Sequence, residues 1–331
     1  MQKISRDALI EKAVSLLENG TVSSVLGWKK GEFDYDVTPA HFKSAEAIRK
    51  EFVWNDFCGA NFSKYLVAKT DRIEGKVLVF LKPCDTYSFN QLLTEHRFDR
   101  EKVYAVGIPC EGMADIAKVK AICGEGISSI ACGEKLAVTT LYADAPIEID
   151  PKEVLAERCL NCKSKKHVAY DELMGEEGDV VESARFDEVA RLEAMTPDER
   201  FAFWQNELSR CIRCNACRDA CPACTCEKCV FDNPNSGVEN KAPVNSFEEK
   251  MFHIIRAYHV AGRCTDCGEC SRVCPQNIPL HLLNRKFIKD MNEFYGEYQA
   301  GAEVGSRAPL VDYTTEDLEP SEIFDRRDAN A

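Results

Sequence analysis

The chain lacks long hydrophobic runs, a surplus of positive charge, and the common short motifs of phosphate and dinucleotide binding. Its longest apolar stretch, Val77-Leu78-Val79-Phe80-Leu81, is strand-sized, well short of the roughly 20 residues that span a bilayer, so no membrane span is expected. Met1-Gln2-Lys3-Ile4-Ser5-Arg6-Asp7 is charged and has no apolar core segment, so no secretory leader is expected either. Lysine and arginine total 42 against 55 acids, a net charge of −13. The imbalance sits in two places: residues 171–200 hold 11 acids and 3 bases, and residues 301–331 hold 8 and 3. No basic stripe is left to follow a nucleic-acid backbone, which disfavours that partner. G-x-G-x-x-G, a phosphate loop and H-E-x-x-H are all missing, and no Ser/His/Asp arrangement stands out.

Cysteine is the opposite case: 18 in 331 residues. That is dense, yet below the level of a small disulfide scaffold, and a chain this long buries a core without cross-links. A cytoplasmic location, the expectation here, keeps thiols reduced. Metal ligation is therefore the expected use of most of them.

Cys211-x-x-Cys214-x-x-Cys217-x-x-x-Cys221-Pro222 has the bacterial ferredoxin spacing, and Cys264-x-x-Cys267-x-x-Cys270-x-x-x-Cys274-Pro275 repeats it without deviation. Three thiolates two residues apart reach three irons of one cubane, while the fourth, before the proline, serves the other cubane. One 4Fe–4S cluster is thus expected on Cys211, Cys214, Cys217 and Cys274, and a second on Cys264, Cys267, Cys270 and Cys221. Zinc is the alternative for thiolate clusters in general. Each motif follows a capped helix: Thr196-Pro197-Asp198-Glu199 starts one with Phe201, Trp204 and Leu208 on a face, and Ser246-Phe247-Glu248-Glu249 starts the other, with Phe252, Ile255 and His259. With 42 residues between Cys221 and Cys264, a compact ferredoxin sandwich does not fit. An α-helical two-cluster domain does. Over roughly 196–290 it resembles the helical ferredoxin domains of heterodisulfide-reductase-like and succinate-dehydrogenase-like iron–sulfur subunits.

Beyond the first motif lie Cys224, Cys226 and Cys229, one ligand short of a cubane. They are read either as a further metal site completed by Cys58 or a partner, or as thiols that shield the first cluster. In the N-terminal half, Lys82-Pro83-Cys84-Asp85 and Ile108-Pro109-Cys110-Glu111 each follow a predicted strand. If the strands are parallel neighbours, both cysteines reach one carboxyl rim, where α/β sheets place ligands. With Cys159-Leu160-Asn161-Cys162 they offer four ligands for a third 4Fe–4S cluster, with zinc or no metal as alternatives. Lys163, Lys165, Lys166 and His167 follow, either to offset cluster charge or as a solvated loop. Cys123 and Cys132 are expected to be small buried residues, as is Cys58 if it is not a ligand. His96, His253 and His259 are expected to pack or lie at the surface.

The remaining elements suggest an α/β N-terminal domain (1–170) with a mixed or parallel sheet. Helices are expected over Ala8–Leu17 and Thr86–Glu95, and strands over Lys76–Leu81, Val103–Ile108, Ile127–Ile130 and Leu136–Leu141. An acidic linker (171–195), a mainly α-helical dicluster ferredoxin-like domain (196–298) with a last helix over Ile278–Tyr298, and an acidic tail (299–331) follow. The tail reads as disordered or laid along a partner.

Lys82-Pro83-Cys84, Gly107-Ile108-Pro109-Cys110 and Cys159-Leu160-Asn161-Cys162 together resemble, over about 55–175, the β subunits of deazaflavin-reducing hydrogenases and deazaflavin-dependent formate dehydrogenases. That resemblance implies a flavin (FAD) and a 4Fe–4S cluster in the α/β domain, with electrons passing between deazaflavin and partner subunits. Where the family has a Gly-rich segment, this chain has Phe57-Cys58-Gly59-Ala60-Asn61-Phe62, with one glycine. The expected function is a one-electron relay in a subunit of an anaerobic multi-subunit oxidoreductase, between a redox enzyme subunit (hydrogenase, dehydrogenase or heterodisulfide-reductase-like) and a flavoprotein. The rival expectation is a flavin enzyme exchanging hydride with a deazaflavin or nicotinamide.

Overall fold

A computed structural model describes residues 3–70, 72–162, 166–179, 184–232 and 246–309. Its strands are β1 (Ser24–Lys30), β2 (Val37–Phe42), β3 (Phe52–Val53), β4 (Val77–Leu81), β5 (Val103–Gly107), β6 (Ile127–Cys132), β7 (Leu136–Thr140), β8 (Ile147–Ile149) and β9 (Glu172–Leu173). Six of them form one mixed sheet in the order β2-β1-β4-β5-β9, with β3 also paired to β1. β1, β4, β5 and β9 run parallel; β2 and β3 lie antiparallel to β1. Every residue of β4 is buried. A parallel strand covered on both faces needs an unbroken apolar sequence, which is why the longest apolar run of the chain lies here. Trp28 packs behind it, its ring 4.3 Å from Phe62 and 4.8 Å from Trp54.

The register sets Leu81 opposite Gly107, so Pro83-Cys84 and Pro109-Cys110 leave the sheet at one carboxyl edge. Pro83 opens the helix Pro83–Thr94, where its missing N–H costs nothing. The expected strands at 127–130 and 136–141 do not extend this sheet: β6, β7 and β8 form a separate antiparallel sheet. Only Gly133, Glu134 and Lys135 separate β6 from β7, too few for the crossover that parallel strands require. Their inner face packs on Val119 and Val154.

Among the described residues no strand follows β9. The helix Pro197–Ser209 starts with the expected capping box: Glu199 N–H donates to Thr196 Oγ1 at 3.3 Å, and Thr196 N–H donates to Glu199 Oε2 at 2.9 Å. Leu208 is buried and Trp204 half-buried, but Phe201 is exposed. On the helix Ser246–Val260, Phe252 is buried and Ile255 half-buried, whereas His259 faces solvent and His253 and Arg256 point inward. The cap side chains of Ser246 to Glu249 lie outside the described residues. The last helix, His281–Tyr295, is shorter than expected at both ends. The expected linker contributes β9 and the helix Asp187–Glu193, whose Val189 and Leu192 pack on Leu282. The start of the expected tail lies on the α/β unit, where Gly305 N–H donates to Thr94 Oγ1 at 2.9 Å; residues 310–331 fall outside the described set.

The α/β unit and the C-terminal helices meet at a buried carboxylate. Glu269 is 2% exposed. It accepts from Arg272 Nε at 2.7 Å and Nη2 at 2.8 Å, from the Asn61 N–H at 3.2 Å, and from Arg158 Nη1. Arg158 also donates to the Gly59 carbonyl at 2.7 Å and the Cys267 carbonyl at 3.2 Å. It threads between two glycines: a Cβ on Gly59 would lie 2.7 Å from its Nη2, and one on Gly268, whose φ is +67°, 2.6 Å from its Cβ. Burial alone would raise the Glu269 carboxyl, but Arg272 and Arg158 override it and hold the group at about 2. Arg263 adds a second clamp on Glu95, at 2.8 and 2.6 Å. Removing one partner of a buried ion pair leaves the others uncompensated, so Glu269→Ala is expected to cost about 3–5 kcal/mol, read as a lower urea midpoint by far-UV circular dichroism.

Candidate metal centres

The two ferredoxin motifs share a backbone signature beyond their cysteine spacing. Arg213 and Asn215 in the first, and Asp266 and Gly268 in the second, adopt left-handed conformations, with φ of 54°, 62°, 59° and 67°. These are equivalent positions, on either side of Cys214 and of Cys267. Left-handed residues alternating with ordinary ones turn backbone N–H groups inward, forming a nest for an anionic group. Arg213 N–H lies 3.4 Å from Cys211 Sγ. Each motif then enters a one-turn helix, Ala216–Asp219 or Glu269–Arg272, that carries the third cysteine.

The structure brings Cys211, Cys214 and Cys217 to one cavity with Cys274 from the other motif. Cys264, Cys267 and Cys270 are electrostatic neighbours of one another, and Cys221 is a neighbour of Cys267. The two sets adjoin through Cys217 and Cys270. In the α/β unit, Cys84, Cys110, Cys159 and Cys162 line one cavity at the carboxyl edge of the main sheet, and Cys267 reaches the same cavity. Lys82 stands at its base, 1% exposed, 2.7 Å from Asp85 Oδ2 and donating to the Ala60 carbonyl at 2.9 Å. Among the described residues no three Cys, His, Asp or Glu side chains close to single-ion spacing; the cysteines form cavity walls.

Two observations fit these cavities to iron–sulfur clusters. Burial pushes the Cys84 and Cys264 thiols well up, and Cys110 and Cys267 to about 12. Burial acts alike on Cys58, also raised to about 12, so these thiols stay neutral until metal coordination supplies a cation. Second, Arg158 Nε, His253 Nδ1 and Arg256 Nε are buried without a hydrogen-bond partner. Each belongs to a side chain beside a cysteine set: Arg158 and His253 line two of the cavities, and Arg256 bonds to Cys217. An unmet buried polar atom costs about 1–3 kcal/mol; cluster sulfurs would accept from the two arginine N–H groups, whereas His253 already directs Nε2 to Cys211 Sγ.

The three cysteines beyond the first motif have different surroundings. Cys224 shares a hydrogen bond with Cys221, which with Arg256 and Lys64 favours its thiolate against burial. Cys226 is exposed, and Cys229 packs on the hydrophobic core of the C-terminal unit. Cys58 is not brought to them; it is fully buried in the α/β core, 3.5 Å from Asn55 Oδ1. Cys132 is exposed and Cys123 half-buried, against the expectation that both are core residues. His167 does not lie in a solvated loop: it is buried, its Nε2 3.1 Å from the carbonyls of both Leu81 and Ile108, tying the ends of β4 and β5, and its Nδ1 3.1 Å from Glu177 Oε1. Lys166 is exposed, and Lys163 and Lys165 lie outside the described residues. Sequence reasoning missed His253, whose Nε2 is 3.3 Å from Cys211 Sγ, and whose ring burial holds neutral, at about 3. Its placement one residue after Phe252, on the inward face, was the available signal. Cys58→Ala is expected to leave iron and sulfide per chain unchanged, as measured by anaerobic quantitation.

Residues 207–278 match the family described as the 4Fe-4S dicluster domain. The F420-dependent formate dehydrogenase subunit beta of Methanocaldococcus jannaschii is 25% identical, covering 83% of this chain and 86% of that one. The F420-dependent formate dehydrogenase 1 subunit beta of Methanococcus maripaludis is 23% identical, over 83% and 87%. A chain of the F420-reducing NiFe hydrogenase complex from Methanosarcina barkeri is similar at 15% identity and a TM-score of 0.35, covering 62% of this chain and 90% of that one. This chain therefore resembles, along most of its length, the β subunits of deazaflavin (F420)-dependent formate dehydrogenases, and carries a 4Fe-4S dicluster domain in its C-terminal third.

Proposed function

We propose that the chain is a cytoplasmic electron-transfer subunit of an F420-linked oxidoreductase complex, holding three 4Fe–4S clusters. Cys211, Cys214, Cys217 and Cys274 would hold the first, Cys264, Cys267, Cys270 and Cys221 the second, and Cys84, Cys110, Cys159 and Cys162 the third. The clusters supply one-electron chemistry, and the protein sets their potentials through burial, charge and hydrogen bonds to sulfur. The helical C-terminal unit would be the dicluster domain, joined to the α/β domain through the helix Asp187–Glu193. The observation that carries the reading is Cys267, a ligand candidate of the second set that also walls the cavity of the third. The sets therefore form one row across both units: first, second, third.

Cys214 is exposed, so the first set ends the row at the surface. A dehydrogenase, hydrogenase or heterodisulfide-reductase-like subunit would exchange electrons at one end of the row, and a flavoprotein at the other. No helix among the described residues is long and apolar enough to cross a membrane.

A second reading draws on a cleft of about 450 Å³ between the two units, lined by Tyr35, Phe57, Lys118, Arg158 and Arg272. That size and its mix of rings and cations suit a flavin. Arg158 also lines the third cysteine cavity, so FAD in this cleft would stand beside that set and add a hydride step with deazaflavin. Flavin retained per chain after reconstitution, and lost in Phe57→Ala, tests this.

The test of the main reading is anaerobic iron and sulfide quantitation on the reconstituted chain. About twelve irons per chain are expected, falling to about eight in Cys110→Ala. Unchanged iron in Cys110→Ala would refute the third cluster.

A further inference from the structure

Among the described residues, most buried arginines face acids. Arg158 pairs with Glu269, and Arg185 and Arg285 both pair with Asp266. Arg256 is the exception. It is 6% exposed, and the groups that act most strongly on its charge are cysteines: Cys217, Cys221, Cys224 and Cys270. Nη1 donates to Cys217 Sγ at 3.2 Å, Nη2 donates to the Cys217 carbonyl at 3.0 Å, and Nη2 lies 4.0 Å from Cys224 Sγ. Nε is buried without a partner. A buried cation is costly unless it is paired; neutral thiols at Cys217, Cys221 and Cys270 cannot pair it, and Cys224, whose thiolate is favoured, stands 4.0 Å off. An anionic group on those thiols can.

We propose that Arg256 is the shared counter-charge of the two clusters of the dicluster domain, a positioning residue that holds both reduction potentials up. The inference rests on the iron–sulfur reading above and adds a role for a residue outside the cysteine motifs. Its location gives the mechanism. Cys217 belongs to the first set, and Cys221 and Cys270 to the second. Arg256 touches the first by a direct N–H···S bond and reaches the second through charge. Reduction adds an electron to a cluster that is already anionic, so a nearby cation and donors to sulfur stabilise the reduced form more than the oxidised one. Both potentials rise, and the first depends on the bond as well as on the charge.

The helix Ser246–Val260 keeps the guanidinium in place. One turn earlier His253 holds Nε2 3.3 Å from Cys211 Sγ, and the Phe252 ring lies 5.9 Å from the Arg256 guanidinium carbon. The same helix face therefore contacts two ligands of the first set.

The experiment uses the full chain, reconstituted anaerobically, with redox titration followed by electron paramagnetic resonance and iron counted on each sample. In Arg256→Met, iron is expected to stay at the wild-type level and both dicluster potentials to shift negative. In Arg256→Lys, which keeps the charge and loses the fork, one potential is expected to drop and the other to stay. Arg218→Gln is the control: Arg218 pairs with Asp219 and Asp232 in the same region, and its loss is expected to move neither potential. Wild-type potentials in a fully loaded Arg256→Met would overturn the proposal. If Arg256→Met does not assemble, two unmoved potentials in Arg256→Lys overturn it instead. A wild-type chain whose dicluster domain binds no iron would sink the iron–sulfur reading itself, and iron content separates that failure from this one.

Discussion

One buried carboxylate fixes the geometry on which the rest depends. Glu269 takes up the charge of Arg158 from the α/β unit and of Arg272 from its own helix, and it caps the Asn61 N–H. It sits between Cys267 and Cys270, and Arg158 directly precedes Cys159. The ion pair therefore joins the backbone beside one cysteine set to the backbone beside another. Buried ion pairs contribute little net stability against an apolar replacement, but they specify one arrangement. Here the arrangement specified is the spacing of two cysteine sets, a quantity that apolar packing alone would hold loosely.

The same logic explains the cation inventory around the cysteines. Arg158, Arg256 and Lys82 are buried next to thiol sets that would be anionic once metallated. Two of them, Arg158 and Lys82, also have carboxylate partners. Arg256 has cysteines in their place. The interior of the molecule is thus charged along a line, and that line follows the cysteine cavities. It is a costly way to build a core, and it is consistent with a path for charge rather than with a fold optimised for stability alone.

Much of this was legible in the sequence for a local reason. The Cys-x-x-Cys-x-x-Cys-x-x-x-Cys-Pro spacing encodes its own loop, and the left-handed residues flanking Cys214 and Cys267 realise it twice. The two Pro-Cys pairs were readable because β4 and β5 are apolar strands with a helix between them, which a right-handed parallel crossover accommodates. What was not legible is long-range. Nothing in Arg158 or Glu269 announces a partner more than a hundred residues away. The strands β6 and β7 were misplaced, and β8 was not read at all, because a short apolar run does not reveal which sheet it joins. Phe201 was placed on one face with Trp204 and Leu208, and His259 with Phe252 and Ile255, on spacing alone; both are exposed, and the faces that pack are rotated from them.

The cavity of Cys84, Cys110, Cys159 and Cys162 takes part of its wall from Thr265, Asp266, Cys267, Arg285 and Gln299. On a chain made from the N-terminus, all four thiols have emerged long before that wall exists. Until then they face solvent at the rim of a finished sheet, open to oxidation and to unspecific metal capture. Enclosure of the N-terminal site is therefore tied to completion of the chain, and the order of synthesis is the reverse of the order in which the cavity can be sealed.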